Sequence, residues 1–527
     1  MVQRVAVGYL SHADIDVLIV GAGPTGLAMA AEAARFGLRY RLIDKSPHGA
    51  QHSQAVVVQA RTLEQFERYE IAQRAIECGR RLRRIRIYSD GSRIVETSFE
   101  GIPGNYPFVL FLPQTETERL LREHVEAQGG TIEREVELEY LIERESAVEC
   151  VLLGKHGGRD TVTAAYVVGA DGAHSTVRKI LGLPFEGASM EFEFFLGDLR
   201  LEGDVPGDEL SLYLHGGNVV FIGRIDDKRC RVIVALRDHP AGREPELHDF
   251  QNAIDVVGIE NLRVSDPRWM AAFRVSERRT PAYSRGRVFL AGDATNIHSP
   301  VGGQGMNSGI QDAANLMWKI ALVESQRAQP MLLESYDRER KPLSDALVKE
   351  TAVALRAATA SNWLLERIRD GILSRIGSFE AVQDRLRNTI SDLGLNYRQS
   401  PIVAECGGAS LLQAGDRAPD CEVTHETGGR GRIFNLFKEP LHTALLVTPQ
   451  PDADVRRFAQ LCATYRDVLH GAALIDGDAE FWRNYVQEGG ALYVVRPDGY
   501  IGFRGSPRDL DALELWCRGL FLTAEER

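Results

Sequence analysis

The sequence has no long hydrophobic run, no dense basic stretch, no internal repeat and no two cysteines at close spacing. Its first apolar stretch, Ile15 to Val20, meets a glycine turn after six residues. A bilayer crossing needs about 20, and a signal-peptide core is longer too. The seven cysteines (Cys78, Cys150, Cys230, Cys406, Cys421, Cys462 and Cys517) are odd in number and scattered, with neither CxxC nor zinc-ligand spacing. That argues against a disulfide scaffold and a metal site, and it fits a reducing cytoplasm. Lys plus Arg number 62 against 74 Asp plus Glu, a net charge of -12. Without a concentrated positive face, nucleic acid is not an expected partner. What is present is ordinary globular material, with 44% hydrophobic and 26% charged residues in 527. At roughly 150 residues per domain this suggests about three structural units. Met1 to Ala13 is expected to be a poorly ordered extension, and the protein a soluble, cytoplasmic one with no membrane partner.

From Asp14 the pattern is strand, glycine turn, helix, strand. Ile15 to Val20 is a β-branched run, Gly21-Ala-Gly23-Pro24-Thr25-Gly26 is the turn, Leu27 to Arg35 is alanine-rich, and Tyr40 to Asp44 is the next strand. This is the dinucleotide fingerprint. Gly21 permits the tight turn, Gly23 lets backbone approach a pyrophosphate, Gly26 lets helix and strand pack closely, and Asp44 would accept from ribose hydroxyls. NAD and FAD both use such a unit. Two later stretches bear on the choice: Tyr166-Val-Val-Gly169-Ala-Asp171-Gly172, and Arg287 to Gly292-Asp293-Ala294 followed by Pro300-Val-Gly302-Gly303-Gln304-Gly305-Met306-Asn307. A glycine-rich loop feeding a helix offers free N–H groups and a positive dipole end.

In this order and separation the three motifs resemble the single-component (class A) FAD-dependent aromatic hydroxylases. Arg61-Thr-Leu-Glu64, Gln114-Thr-Glu-Thr-Glu-Arg119 and Gly415-Asp-Arg-Ala-Pro419 resemble the branch of phenol, chlorophenol and polyketide hydroxylases with a thioredoxin-like tail. The likeness covers about residues 14 to 525. It implies an α/β protein: a Rossmann-type, p-hydroxybenzoate-hydroxylase-like FAD domain, an inserted β-sheet substrate domain and a C-terminal thioredoxin-like domain. The FAD domain would comprise residues 14–85, 111–185 and 281–400, the last with long helices. Substrate-domain strands would occupy 86–110 and 186–280, and the thioredoxin-like domain 405–527.

The resemblance implies that Gly21, Gly23, Pro24, Thr25 and Gly26 hold the pyrophosphate of non-covalent FAD, and Asp44 with Lys45 the adenosine end. Gln114 would lie on the flavin side, and Asp171 near the pyrophosphate. Gly292 and Asp293 would meet the ribityl chain, while Pro300, Gly302, Gly303, Gly305, Met306 and Asn307 would line the isoalloxazine. Gln54 stands where many relatives carry Arg, and its amide cannot supply a charged bidentate phosphate contact. The implied reaction is hydroxylation of a phenolic or polyketide-like ring by O2 through a flavin C4a-hydroperoxide, with NADPH or NADH as transient reductant. Baeyer–Villiger insertion, oxidative dehalogenation, and a non-redox cyclase with structural FAD are the alternatives. A further one is a binding protein that has lost catalysis. The five tryptophans form no Trp-x-Trp-x-Ile-Pro, against a flavin halogenase, and there is no second GxGxxG for a separate NAD domain.

Leu210 to Arg224 alternates across Gly216-Gly217 and predicts a β-hairpin, with a further strand in Lys228 to Arg237. A phenol is far more nucleophilic as phenolate, and the candidates to manage its proton are His215, Tyr213 and Arg224 on this hairpin and His298 before the flavin loop. Each could equally be structural. Phe221 and Trp269 could wall a pocket or fill a core, and Arg80 to Arg86 could approach NAD(P)H or form a solvated face. Long helices are expected from Leu332 to about Leu393, interrupted at Pro342. Beyond residue 412, strands and helices alternate, with a Pro-Asp-Gly hairpin before Phe503 and a terminal helix over Leu510 to Leu520. Pro449-Gln-Pro-Asp452 stands where a redox relative carries CxxC, so packing or a homodimer contact is the expected job of this unit.

Overall fold

The computed structural model describes residues 13–50, 55–205, 207–235, 243–297, 303–359, 370, 379–408, 410–425, 428–447, 453–486 and 489–527. The predicted extension up to residue 12 lies outside them, as does the turn Pro449 to Asp452. Among the described residues no helix is long and apolar enough to cross a membrane.

Apart from Asp16, which pairs with Arg39 at its start, Ile15–Val20 is apolar because it is covered on both faces. It lies parallel between Tyr40–Asp44 and Arg159–Gly169, in a sheet that continues to Val288–Leu290 on one side and Ile132–Arg134 on the other. Two helices, Pro24–Arg35 and Gly305–Glu324, close one face around Leu27, Ala33, Ile310 and Met317. Leu18, Val148, Leu152 and Leu290 fill the other. The fingerprint turn and the segments after Gly169 and Leu290 all leave the same edge, since parallel strands end together.

The second sheet has eight strands, and its centre is Glu186–Glu202, Arg229–Ala235, Asn218–Arg224, Glu209–His215 and Arg84–Ser89. The expected hairpin forms, with His215 opposite Asn218. Gly216 and Gly217 have φ of +56° and +79°, which a tight two-residue turn requires at both positions. The pleat divides its side chains between two environments. Val220, Ile222, Val232 and Val234 pack against the helix Leu247–Val256 on what we call the outer face. Leu210, Leu214, Val219 and Ala235 lie on the inner face, towards Phe111 and the helix Met331–Ala358.

Among the described residues, the long-helix region contains Met331–Ala358, with Pro342 inside it, and Glu380–Ser391. The C-terminal sheet pairs His442–Val447 parallel with Leu469–Gly477 across the helix Ala453–Thr464, then adds the hairpin Ala491–Val495 and Ile501–Gly505. The helix Leu510–Leu520 completes a thioredoxin-like order. Cys462 and Cys517 sit in its core, where burial pushes the Cys462 thiol up to about 12 and Cys517 well above its usual value. Neither can act as a thiolate. All seven cysteines are free, and only Cys78 and Cys406 are exposed. A thiol reagent should therefore label these two in the native protein and the other five only after unfolding; rapid native labelling of Cys462 or Cys517 would contradict this packing.

Candidate functional site

The three fingerprint glycines do different work. At Gly21, where φ is +103°, a Cβ would lie 2.4 Å from the Ala170 carbonyl oxygen, so this turn is pressed onto the segment that follows the third strand. At Gly26 a Cβ would fall 1.8 Å from the Gly21 carbonyl oxygen, so the helix sits directly on the turn. At Gly23 a Cβ would meet nothing within 4 Å. One side of the turn is thus open, and the helix that starts there has Pro24 in its first turn and no side-chain cap. Its first amides present the positive end of the dipole.

Asp44 closes one flank of this opening. Its Oδ2 accepts the Ala22 N–H at 2.7 Å and its Oδ1 the Ser46 N–H at 2.7 Å, with the Arg134 guanidinium at 3.5 Å. Lys45 is exposed beside it. Asp171 closes another. Its Oδ2 accepts the N–H groups of Thr176 and Val177 at 2.6 and 3.2 Å, while its Oδ1 is buried without a partner. The third motif is tied to the first through Thr25, whose hydroxyl lies against both Gly292 and Gly309. Asp293 is exposed on the short 3-10 turn Gly292–Ala294.

The loop that enters the helix at Gly305 is held from the side. A Cβ on Gly303 would lie 2.7 Å from that of Val57. Asn307 accepts the Gln59 N–H at 3.0 Å and donates to the carbonyls of Val57 at 2.9 Å and Gly303 at 2.7 Å, so its amide braces the loop. Met306 packs into the core. Gln114 accepts the Ala55 N–H at 3.1 Å, gripping the segment next to Gln54. Gln54, His298, Pro300 and Gly302 lie outside the described residues. An open amide-lined turn, a carboxylate beside it and a buried unpaired carboxylate oxygen suit the pyrophosphate and hydroxyls of an adenine dinucleotide, and these residues fit FAD.

The sheet separates the other candidates. Tyr213 stacks on Tyr88 with ring centroids 4.8 Å apart. The His215 Nδ1 lies 2.7 Å from the Asp90 carboxylate at the exposed hairpin end, and Arg224 donates to the carbonyls of Val205 and Asp227. All three alternate with inward residues and belong to the outer face, across the sheet from Val57, against which Gly303 packs. Phe221 does point inward, 6.4 Å from Phe111, in a half-buried wall with Leu212, Ile233, Ala271 and Phe273. Trp269 lies in the row of Gly223, Arg231 and Asp198. Its indole donates to Asp198 at 2.9 Å, and fully buried Arg231 donates to the same carboxylate at 2.5 and 3.1 Å. Arg80, Arg83, Arg84 and Arg86 each pair with carboxylates.

Three residues that pattern reading missed lie under the flavin loop. The Gly292 N–H donates to Asp312 at 2.8 Å, and Arg340 donates to the other Asp312 oxygen at 2.6 Å. Asp392, with φ +58°, accepts from Gln311 at 2.9 Å; burial lifts its carboxyl to about 7, although that hydrogen bond favours the charged form. Nothing marked them in advance, because a polar residue on a helix, as Asp312 and Arg340 are, or at a helix end, as Asp392 is, reads as solvated until its partners are placed.

The fold and the site define a flavoprotein with the Rossmann type of FAD domain. The FAD binding domain family model matches residues 14–351. The chain is 33% identical to the pentachlorophenol 4-monooxygenase of Sphingobium chlorophenolicum over 93% of its length and 94% of that enzyme. To the 6-methylpretetramide 4-monooxygenase of Streptomyces rimosus it is 31% identical over 97% and 94%. The solved anhydrotetracycline hydroxylase of Streptomyces rimosus shares 28% identity and a TM-score of 0.80, covering 97% of this chain and all of that one. The chain belongs to the family of FAD-dependent aromatic and polyketide monooxygenases, and it is an enzyme with FAD as cofactor.

Two outcomes follow from this geometry. Gly23→Ala should fold with near-normal apoprotein Tm but bind FAD about tenfold or more weakly, whereas Gly26→Ala should lower the apoprotein Tm itself; equal behaviour of the pair in FAD titration and calorimetry would contradict the assigned roles. Asp392 keeps its proton in the folded state between about pH 4 and 7 while the unfolded chain releases it, so its contribution to stability falls as pH rises through that window. Asp392→Asn, which suits the left-handed backbone, should remove that slope and raise stability at pH 8 by about 1 kcal/mol or more, as urea titrations at pH 5 and 8 would measure.

Proposed function

We propose that this enzyme uses NAD(P)H and O2 to place one oxygen atom on a phenolic or polyketide-like aromatic ring. The supporting observation is that Val57, which packs against Gly303 before the helix Gly305–Glu324, shares one apolar cluster with Phe111, Leu210 and Phe221 of the inner sheet wall. Bound FAD supplies the redox chemistry that activates O2. The open side of Gly23 and the first turn at Thr25 and Gly26 take the pyrophosphate, Asp44 the ribose hydroxyls and Asp293 the ribityl chain. Asp171, with its unpaired oxygen, takes a donor near the pyrophosphate. The uncapped start of the helix at Gly305 places partial positive charge where the ring system gains negative charge.

Leu212, Phe221, Ile233 and Phe273 keep water from the reacting face and hold a flat ring by contact. In the inner rows they share, the charged described side chains are Arg231 and Asp198, already paired with each other. Recognition by shape and apolar contact therefore favours a large aromatic substrate over a small charged one. His298, two residues before Pro300 in the flavin loop, is our candidate to accept the phenolic proton; the outer-face placement of Tyr213, His215 and Arg224 supports it over them.

The test is a panel of phenols and aromatic polyketides screened for stimulated NADPH and NADH consumption, O2 uptake and product mass. Stimulated consumption with a product one oxygen atom heavier is the expected outcome, and product NMR separates hydroxylation from Baeyer–Villiger insertion. Halide release would indicate dehalogenation. Product formed without NAD(P)H oxidation or O2 uptake would replace this reading with a non-redox cyclase.

A further inference from the structure

Arg61-Thr-Leu-Glu64 and Gly415-Asp-Arg417-Ala-Pro419 take no part in the site, yet the fold brings them together. Arg417 donates to Glu64 Oε1 at 2.8 Å, Arg61 donates to Glu64 Oε2 at 2.7 Å, and Arg61 also donates to the Asp498 carbonyl at 2.6 Å. Asp498 belongs to the C-terminal hairpin turn, and all four residues are buried. At the base of that turn Arg496 donates to both oxygens of Glu339, at 2.5 and 3.0 Å. Lys319 at 2.7 Å, the Asn315 amide at 2.7 Å and the Ser400 hydroxyl at 2.5 Å complete the Glu339 carboxylate. Arg496, Glu339 and Lys319 are at most 1% exposed by side chain.

The residue after Glu339 is Arg340, and it points at the flavin motifs. Its Nε donates to Asp312, whose second oxygen accepts the Gly292 N–H at 2.8 Å. Its Nη2 donates to the carbonyl and hydroxyl of Ser308 at 3.1 Å each, in the first turn after the flavin loop, and its Nη1 to the Tyr397 hydroxyl at 3.1 Å. Tyr397 in turn lies under Arg496, 5.1 Å from guanidinium carbon to ring centroid, and against Tyr500 at 4.3 Å. Two neighbouring helical residues thus carry two arms: Glu339 to the C-terminal sheet, Arg340 to both ends of the flavin loop.

We propose that the C-terminal domain is a brace for the flavin, with Arg496 as the positioning residue that sets Glu339 and Arg340 and, through Asp312, the turn Gly292–Asp293. The physical ground is that buried charges tolerate no loss of partner, so each member's position is over-determined by the rest. Withdrawing Arg496 removes two of the five hydrogen bonds to Glu339 and leaves it with Lys319, Asn315 and Ser400, so the helix must shift to compensate. This inference rests on the reading of Gly292–Asp293 as a flavin contact.

The experiment titrates FAD onto apoprotein of Arg496→Met, Arg496→Lys and Asp312→Asn, with Asp293→Ala beside them, and measures Tm with and without FAD. A brace predicts that Arg496→Met weakens FAD binding at least about tenfold and shrinks the Tm gained on adding FAD, with partial rescue in Arg496→Lys. A purely structural residue would lower both Tm values equally and leave FAD affinity within about twofold of wild type, which would overturn the proposal. If Arg496→Met does not fold, Asp312→Asn decides by the same criterion, because Asn keeps an oxygen for the Gly292 amide but cannot accept from Arg340. Loss of FAD in Asp293→Ala with normal affinity in the other variants sinks the brace alone. Full FAD content in Asp293→Ala sinks the reading of the motif.

Discussion

The first helix can sit where it does only because nothing projects from Gly26 towards the Gly21 carbonyl, where a Cβ would have 1.8 Å. That close approach aims the helix N-terminus at the edge where the parallel strands end. It also puts Thr25 against Gly292 and Gly309, so the first and third motifs share one boundary. The Gly21 turn, pressed on Ala170, brings in the second. Three stretches far apart in the chain are thereby held around one open side, at Gly23.

Around this centre, two kinds of material are arranged by different forces. The inner face of the second sheet is largely apolar, and the pleat of a strand assigns each residue to one of its faces without regard to chemistry. Support from below is ionic. Asp312, Arg340, Glu339, Lys319, Arg496 and Asp498 form a continuous buried set, with burial acting against each charge and its partners acting for it. Glu339 is held well below the carboxylate range by Arg496 and Lys319 despite its burial, whereas burial carries Lys319 down to about 8. Replacing such a set by apolar residues could cost little, but removing one member typically costs about 3–5 kcal/mol. Its value lies in geometric definition.

The thioredoxin-like unit fits this picture as a mechanical part. Its core cysteines are buried and held protonated by their surroundings, and its hairpin turn inserts Arg496 and Asp498 between helices of the FAD domain. A domain kept for its hairpin needs no redox pair.

Strand, turn, helix and acid were legible from Ile15 to Asp44 because that unit is local: spacing along the chain equals spacing in space, and glycine is required where backbone meets backbone. The same holds for the hairpin at Gly216 and Gly217, where φ is positive at both positions. Alternation established that Tyr213 and Leu214 point opposite ways, but either face could have been inward. Only the packing of the helix Leu247–Val256 on one side, and of Phe111 and Leu355 on the other, decided it. The sequence by itself determined the dinucleotide turn, which depends on contacts within a few tens of residues, while the order of three motifs along the chain carried the resemblance that implied the fold class and FAD. Tertiary structure alone decided that Arg61, Glu64, Arg417 and Asp498 meet, and that Glu339 and Arg340 join them to the flavin motifs. A charged residue pays its desolvation only where distant partners surround it, and no local pattern records who they are.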